Sequence, residues 1–244
     1  MRSIAFELLR RVFEDDAYAN LLLPKLLAEA NVDSRDAGFI QELSFGTLRN
    51  KLFYEKVIAV ASSRDIASID SNALTVLLLG AHQLLGMRVP VHASINESVN
   101  LAKAKASKSV VGFVNAVLRR ISEKSRQQWV EIVTQDTKTA EEKLSIEHSH
   151  PLWIVRALKG ALESRGLGHS LENLLIADNI PAKVSVAALP GFSSIRSLAS
   201  YGEPGEASPI AVELNVTPAN VPEIKQGFAR VQDQGSQLAV LALV

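Results

Sequence analysis

The stretch that decides the fold runs from Val89 to Lys124: VPVHASINESVNLAKAKASKSVVGFVNAVLRRISEK. It holds two helical patterns back to back. In the first, Ser94 is placed to cap a helix and Glu97, three residues on, to complete a capping box. Ile95, Val99 and Ala102 then follow at spacings of four and three, one face of a helix. In the second, Val110, Phe113, Val114, Val117, Leu118 and Ile121 recur with a 3.6-residue period, a wide stripe that must face a core. The polar side is basic. Between Leu101 and Arg126 stand Lys103, Lys105, Lys108, Arg119, Arg120, Lys124 and Arg126, against Glu123 alone. A buried stripe backed by cations is the pattern of a helical domain whose outer surface meets a polyanion.

Outward from that stretch, the same habit continues toward the amino terminus. Residues 2–15 set Ile4, Ala5, Leu8, Leu9 and Val12 along one side and project Arg2, Arg10 and Arg11 elsewhere. Residues 18–30 repeat the pattern, and Pro24 must sit in a first turn or mark a kink. After Asp33, Phe39, Ile40, Leu43 and Leu48 form another stripe. Gly46 within it costs about 1 kcal/mol relative to Ala, which predicts a close helix crossing there. Residues 52–61 give a further helix. The segment after Asn72, read as its cap, is apolar on more than one side and is expected to be the central helix of a bundle. His82 on that helix, and His92 before the basic pair, read as structural residues. Asn115 reads as a buried amide holding register. No convincing strand appears before Lys124, so residues 1–126 are expected to be all-α.

The phrases VPVHASINESVNLAK, GFVNAVLRR and, earlier, SRD followed by ELSFGTLR resemble the RNA-binding domain shared by NusB and the bacterial rRNA cytosine-C5 methyltransferases of the RsmB (Sun) type. Further on, SHPLWIVRAL (149–158) and VQDQGSQLAVLAL (231–243) resemble segments of those methyltransferases as well. The resemblance spans essentially the whole chain. It implies a NusB-like helical RNA-binding domain at 1–126, a helical connector at 127–148, a small α+β, RRM-like unit at 149–230, and the start of a truncated methyltransferase domain at 231–244. The doubly wound methyltransferase domain itself is absent from this reading.

The residues agree with that division. Trp129, Ile132 and Val133 share one side of the connector. Pro151 opens a helix carrying Leu152, Val155, Leu158 and Leu162, and another helix spans Leu171–Asp178. Then the period changes: 182–189 and 210–215 alternate as strands, a third strand starts at 228–232, and 192–200 is a short helix. There is no aromatic motif of the type RRM sheets use to stack bases.

Composition limits the chemistry. Apolar residues make up 47 % of 244, enough for a core without staples, and there is no cysteine. Disulfides, thiolate metal sites and Cys nucleophiles are therefore excluded from this chain. The resemblance implies a family that attacks cytosine C6 with a thiolate and binds S-adenosylmethionine at a Gly-rich loop; neither element is in this sequence. Gln232, Asp233, Ser236 and Gln237 would lie beside that cofactor in a complete enzyme. The chain by itself is expected to be inactive, to hold no cofactor and to bind no metal, His148 and His150 lacking further ligands nearby. No apolar run approaches the roughly 18 residues of a membrane span, so a cytoplasmic protein is expected. Net charge is zero overall, with the basic excess in residues 1–126 and the acidic excess after them.

The expected function is recruitment of small-subunit rRNA, with Arg2, Arg10, Arg11, Lys103, Lys105, Arg119 and Arg120 as phosphate contacts. Two alternatives stay open: a NusB-like antitermination factor, and a bundle serving only protein contacts.

Overall fold

The computed structural model describes residues 1–181 and 183–243. Ala182, the first residue of the expected strand 182–189, and Val244, the last of the expected segment 231–244, lie outside the described residues. The chain parts into two compact units, Met1–Asn179 and Ile180–Val244.

The first unit is helical: α1 (Arg2–Glu14), α2 (Ala19–Glu29), α3 (Ser34–Arg49), α4 (Lys51–Ser62), α5 (Ser71–Leu85), α6 (Val91–Lys105), α7 (Val111–Ser122), α8 (Arg126–Thr134), α9 (Ala140–Glu147), α10 (Leu152–Glu163) and α11 (Leu171–Asp178). The most apolar helix, α5, packs against α1, α3, α4, α6 and α7, as a helix without a polar face must. Its neighbours contribute Leu8 and Leu9, Ile40 and Leu43, Phe53, Val57 and Ile58, and Val114, Leu118 and Ile121 to one continuous core. Trp129 of α8 seals the bundle's end, and its indole N–H donates to the Ile121 carbonyl at 2.9 Å.

Gly46 marks the expected close crossing. A Cβ there would collide with the His82 ring, which is 2 % exposed and packs against this gap from α5. His82 Nδ1 lies 2.8 Å from the Tyr54 hydroxyl and Nε2 lies 3.4 Å from Glu42 Oε1. His82 is thus the structural residue its sequence position suggests. The His82 contact first, with Arg49 behind it, holds the Glu42 carboxyl below the usual range against the opposing effect of burial.

Several expectations shift. The α6 helix begins at Val91 behind Pro90, so Ser94 lies inside it, buried, with its hydroxyl donating back to the Pro90 carbonyl at 3.2 Å. Glu97 turns toward Arg2 and takes no part in a cap. The cap of α5 is Asp70, whose carboxylate accepts from Ala73 N at 2.9 Å, and not Asn72. Pro24 lies in the interior of α2, past the first turn. Asn115 is only half-buried and accepts from Arg119 Nε at 3.4 Å, one turn away, so it holds no register with another helix.

The sequence reading drew a boundary at residue 148, but the packing draws it at 179. Helices α8–α11 belong with the bundle because residues 145–150 form a knot of hydrogen bonds against it. Ser149, at φ 58°, turns its hydroxyl onto the first turn of α4 and accepts from Leu52 N at 3.0 Å and Phe53 N at 3.4 Å. Asn50, the helix's own N-cap residue, makes no side-chain cap; its amide nitrogen donates to the Gly46 carbonyl and its oxygen accepts from Arg126. Ser145 donates to the His150 carbonyl, and Asn179 Nδ2 donates to the His148 carbonyl. Val155, Leu171 and Leu175 then close a small satellite core.

The second unit contains β1 (Ser185–Ala188), α12 (Ile195–Leu198), β2 (Gly202–Pro204), β3 (Ala211–Leu214), α13 (Pro222–Lys225), β4 (Ala229–Val231) and α14 (Gln234–Leu241). The strands form one antiparallel sheet in the order β2-β3-β1-β4. Val186, Ala188, Val212, Leu214 and Ala229 bury one face with Leu198 of α12 and Ile224 of α13. The alternate residues Ser185 and Glu213 point to the other face, where α14 lies: Gln237 donates to Ser185 Oγ at 3.3 Å and Gln234 to Glu213 Oε1 at 2.9 Å.

Candidate nucleic-acid interface

The structure divides the seven expected phosphate contacts into two groups. Arg10 and Arg11 of α1 are ion-paired along their own helix. Arg10 reaches Glu7 at 3.0 Å and Glu14 at 2.8 Å, and Arg11 reaches Glu7 at 2.7 Å. These carboxylates raise the Arg10 guanidinium further above its ordinary range, and Arg10 first, with Arg11, holds Glu7 below its own. Arg2 is packed: Nε donates to Gln83 Oε1 at 2.7 Å, its guanidinium lies 5.2 Å from the Phe39 ring centroid, and Glu97 is 3.8 Å away. Burial lowers its pKa. Composition could not show this, because an (i, i+4) acid is a solubilising surface pair in one context and a competitor for phosphate in another.

The other four cations have no carboxylate within 4.0 Å among the described residues. Helices α6 and α7 are joined by a short turn and run antiparallel. Lys103 and Lys105 therefore lie at the turn end, with Lys108, while Arg119 and Arg120 lie at the far end. Twelve residues of α7 separate the ends by about 18 Å. Lys103 and Arg119 are exposed. Lys105 rests its ammonium 5.9 Å from the Phe6 ring centroid. Arg120 is exposed but donates Nη1 to the Ala61 carbonyl at 2.9 Å, so it also ties down the last turn of α4.

At the far end Arg119 borders a cleft of about 680 Å³ lined by Val91, His92, Ile95, Asn96, Ser122 and Glu123. Sequence reasoning set His92 aside as structural, yet it is exposed and shares this cleft with Asn96, one turn along α6. The (i, i+4) spacing of an imidazole and an amide on an exposed face was the signal for it. The cleft offers donors from Arg119 and Asn96 and an acceptor from Glu123, a set suited to phosphate and to base edges. The two ends of the hairpin thus each carry a pair of cations without an ion-pairing acid among the described residues.

Elsewhere, His148 and His150 have Glu172 and Asp178 at 3.9 and 3.7 Å, and burial lowers the His148 pKa. No group of three potential ligands that could hold a metal occurs among the described residues. No helix among them is long and apolar enough to cross a membrane. Of the residues expected beside a cofactor, Asp233 caps α14 through Gly235 N and Gln237 is buried against Ser185. Both side chains are hydrogen-bonded within the unit.

Comparison with known proteins places this geometry. The chain is 39% identical, over 99% of its length, to a Mycobacterium tuberculosis protein named "Putative methyltransferase Rv1407", and covers 53% of that protein. It is 26% identical, over 97% of its length, to ribosomal RNA small subunit methyltransferase B of Proteus mirabilis, covering 54% of it. The chain thus spans about half the length of the curated relatives it matches. The crystal structure of PH0851 matches the fold with a TM-score of 0.66 at 14% identity, over 98% of this chain and 54% of that one. The model of the NusB family matches residues 1–123, the stretch that ends with α7 and its free cations, and the chain belongs to the NusB family.

Proposed function

We propose that this chain is the rRNA-recruiting front half of an S-adenosylmethionine-dependent rRNA cytosine-C5 methyltransferase of the RsmB type. The observation that carries the reading is the α6–α7 hairpin, whose Lys103, Lys105, Arg119 and Arg120 have no carboxylate within 4.0 Å among the described residues, inside the NusB-family stretch, on a chain whose whole length aligns with methyltransferases. Lys103, Lys105, Arg119 and Arg120 bind phosphates of a structured small-subunit rRNA segment, and the cleft beside Arg119 receives a nucleotide at its edge. The domain roles follow the same reading: residues 1–126 grip RNA, and the second unit, whose βαββαβ order and antiparallel neighbours suit an RRM-like module, extends the contact. With no cysteine, the chain supplies no thiolate, so its part is to hold substrate and not to transfer methyl groups. A location in the cytoplasm, beside the ribosome, belongs to this proposal. A free antitermination factor fits less well, because α8–α11 are knotted into the bundle and the relatives align across them.

The test is binding of the purified chain to an rRNA helix across a salt series, with Lys103→Ala/Arg119→Ala as the variant. Each lost phosphate contact removes about 0.9 from the log–log salt slope, so the double variant should flatten it by roughly two. A slope unaltered by the two changes overturns the assignment.

A further inference from the structure

We infer that Phe192 and Phe228 form a platform on the second unit that stacks an unpaired base of single-stranded RNA. This rests on the proposed RNA-binding role but concerns a different site from the α6–α7 hairpin. The two rings are stacked, 5.7 Å between centroids and 23° between planes. Such a pair is ordinarily buried, yet Phe192 is 67% exposed and Phe228 37%.

The rings are held rigidly by the backbone beneath them. Phe228 N donates to the Glu223 carbonyl at 2.8 Å, and its own carbonyl accepts from Leu189 N at 3.2 Å and Ser193 Oγ at 2.6 Å. Gly191, at φ 84°, makes the turn that brings Phe192 back over Phe228. An aromatic face fixed in this way is costly to leave wet and loses little entropy on stacking.

The surroundings select the partner. Arg196, Lys225 and Arg230 lie four, three and two residues from one or other ring, are exposed, and have no carboxylate within 4.0 Å among the described residues. Arg230 follows Phe228 at strand spacing, about 7 Å along the same side of β4. Next to Phe192, Ser193, Ser194 and Arg196 border a cleft of about 360 Å³ closed on its other side by Pro209 and Ile210. Of the two carboxylates nearest Phe228 in sequence, Glu223 keeps Oε2 out of solvent and Asp233 accepts from Gly235 N at the start of α14. Flat rings interleaved with unpaired cations suit a strand of bases on a phosphate backbone, whose π-faces stack irrespective of sequence. The open sheet face, the other place to look for such a site, is taken by Gln234 and Gln237 of α14.

The test uses the full chain and a fluorescent oligouridylate about eight nucleotides long, compared with an abasic phosphodiester of equal length at about 50 mM salt. The base-bearing oligomer should bind roughly tenfold tighter than the abasic one, and Phe192→Leu, which keeps apolar bulk without the ring, should erase that difference. Arg230→Gln should weaken both oligomers alike. Binding of the rRNA helix through the hairpin should be unchanged in Phe192→Leu, and its urea midpoint should match the parent. Equal affinity for the two oligomers, or a base preference that survives Phe192→Leu, overturns the platform. Binding of the rRNA helix with no binding of either oligomer also overturns it and leaves the hairpin assignment standing, assigning the ring pair to a protein contact. Failure of both probes sinks both.

Discussion

Replacing Ser149 by Ala should destabilise the helical unit at a point 97 residues away in sequence. The serine hydroxyl is the side-chain cap of α4, accepting from Leu52 N and Phe53 N. Its removal leaves two first-turn amides without a protein partner, and loss of such a cap costs about 1 kcal/mol, within a range of roughly 0.5–2. Ala tolerates the left-handed backbone at φ 58° no better than Ser, so nothing offsets the loss. For a unit of this size the melting temperature should fall by about 2–4 °C. Ser149→Gly separates the two effects. It loses the same hydroxyl but relieves a left-handed conformation that costs an L-residue about 1–2 kcal/mol, set against the 0.5–1 kcal/mol entropic cost of Gly. It should therefore melt above Ser149→Ala. Calorimetry gives the order, and hydrogen exchange at Leu52 and Phe53 locates the effect. An Ala variant that melts with the parent, or a Gly variant that melts below the Ala one, would refute the cap.

Four further outcomes are expected. Gly46→Ala should lower stability by about 1–3 kcal/mol through overpacking against His82, read by urea unfolding, with Gly112→Ala, where a Cβ meets nothing, as the contrast. Glu7→Gln/Glu14→Gln should release Arg10 and Arg11 and steepen the salt dependence of rRNA binding by about one unit or more; an unchanged slope would show that these arginines lie away from the RNA. Because burial lowers the His148 pKa, the unfolded chain takes up the proton first as pH falls below 6.5, so His148's contribution to stability is complete above pH 6.5 and declines below it. His148→Gln should flatten that decline between neutral and mildly acidic pH in paired urea titrations. Glu42 has its pKa lowered, so its contribution is complete above about 4.5 and is lost as pH falls further; Glu42→Gln should remove that acid-side loss.

The helices were readable because each must bury a stripe, and a 3.6-residue period leaves that stripe visible, as from Val110 to Ile121 and again at Leu171–Asp178. Strand β1 showed through alternation, and β3 and β4 as short strand-like runs after it. Strand β2 did not: Gly202, Glu203 and Pro204 carry no alternating face and hold their place by pairing with β3. Helix α13 is a single turn and carries no period. Caps were harder, since Ser94 and Asn72 have cap chemistry but the chain enters each helix earlier, at Pro90 and Asp70. The candidate site was half legible. A charge count locates Lys103, Lys105, Arg119 and Arg120, but cannot tell them from Arg2, Arg10 and Arg11, whose partners are set by helix geometry and by tertiary packing. Phe192 and Phe228 are 36 positions apart and declare themselves as a pair only once β1 and β4 lie side by side.

The Ser149 cap also imposes an order in time. When α4 leaves the ribosome its first turn has no side chain to accept its amides, and the residue that will do so is 97 positions behind. At about 5–20 residues per second that interval is roughly 5–20 s, long compared with helix formation and local collapse. The bundle around α5 must therefore assemble with α4 frayed at its start. Synthesis of the Ser145–His150 segment then fastens a helix that has already docked, and α10 and α11 follow to close the unit behind it.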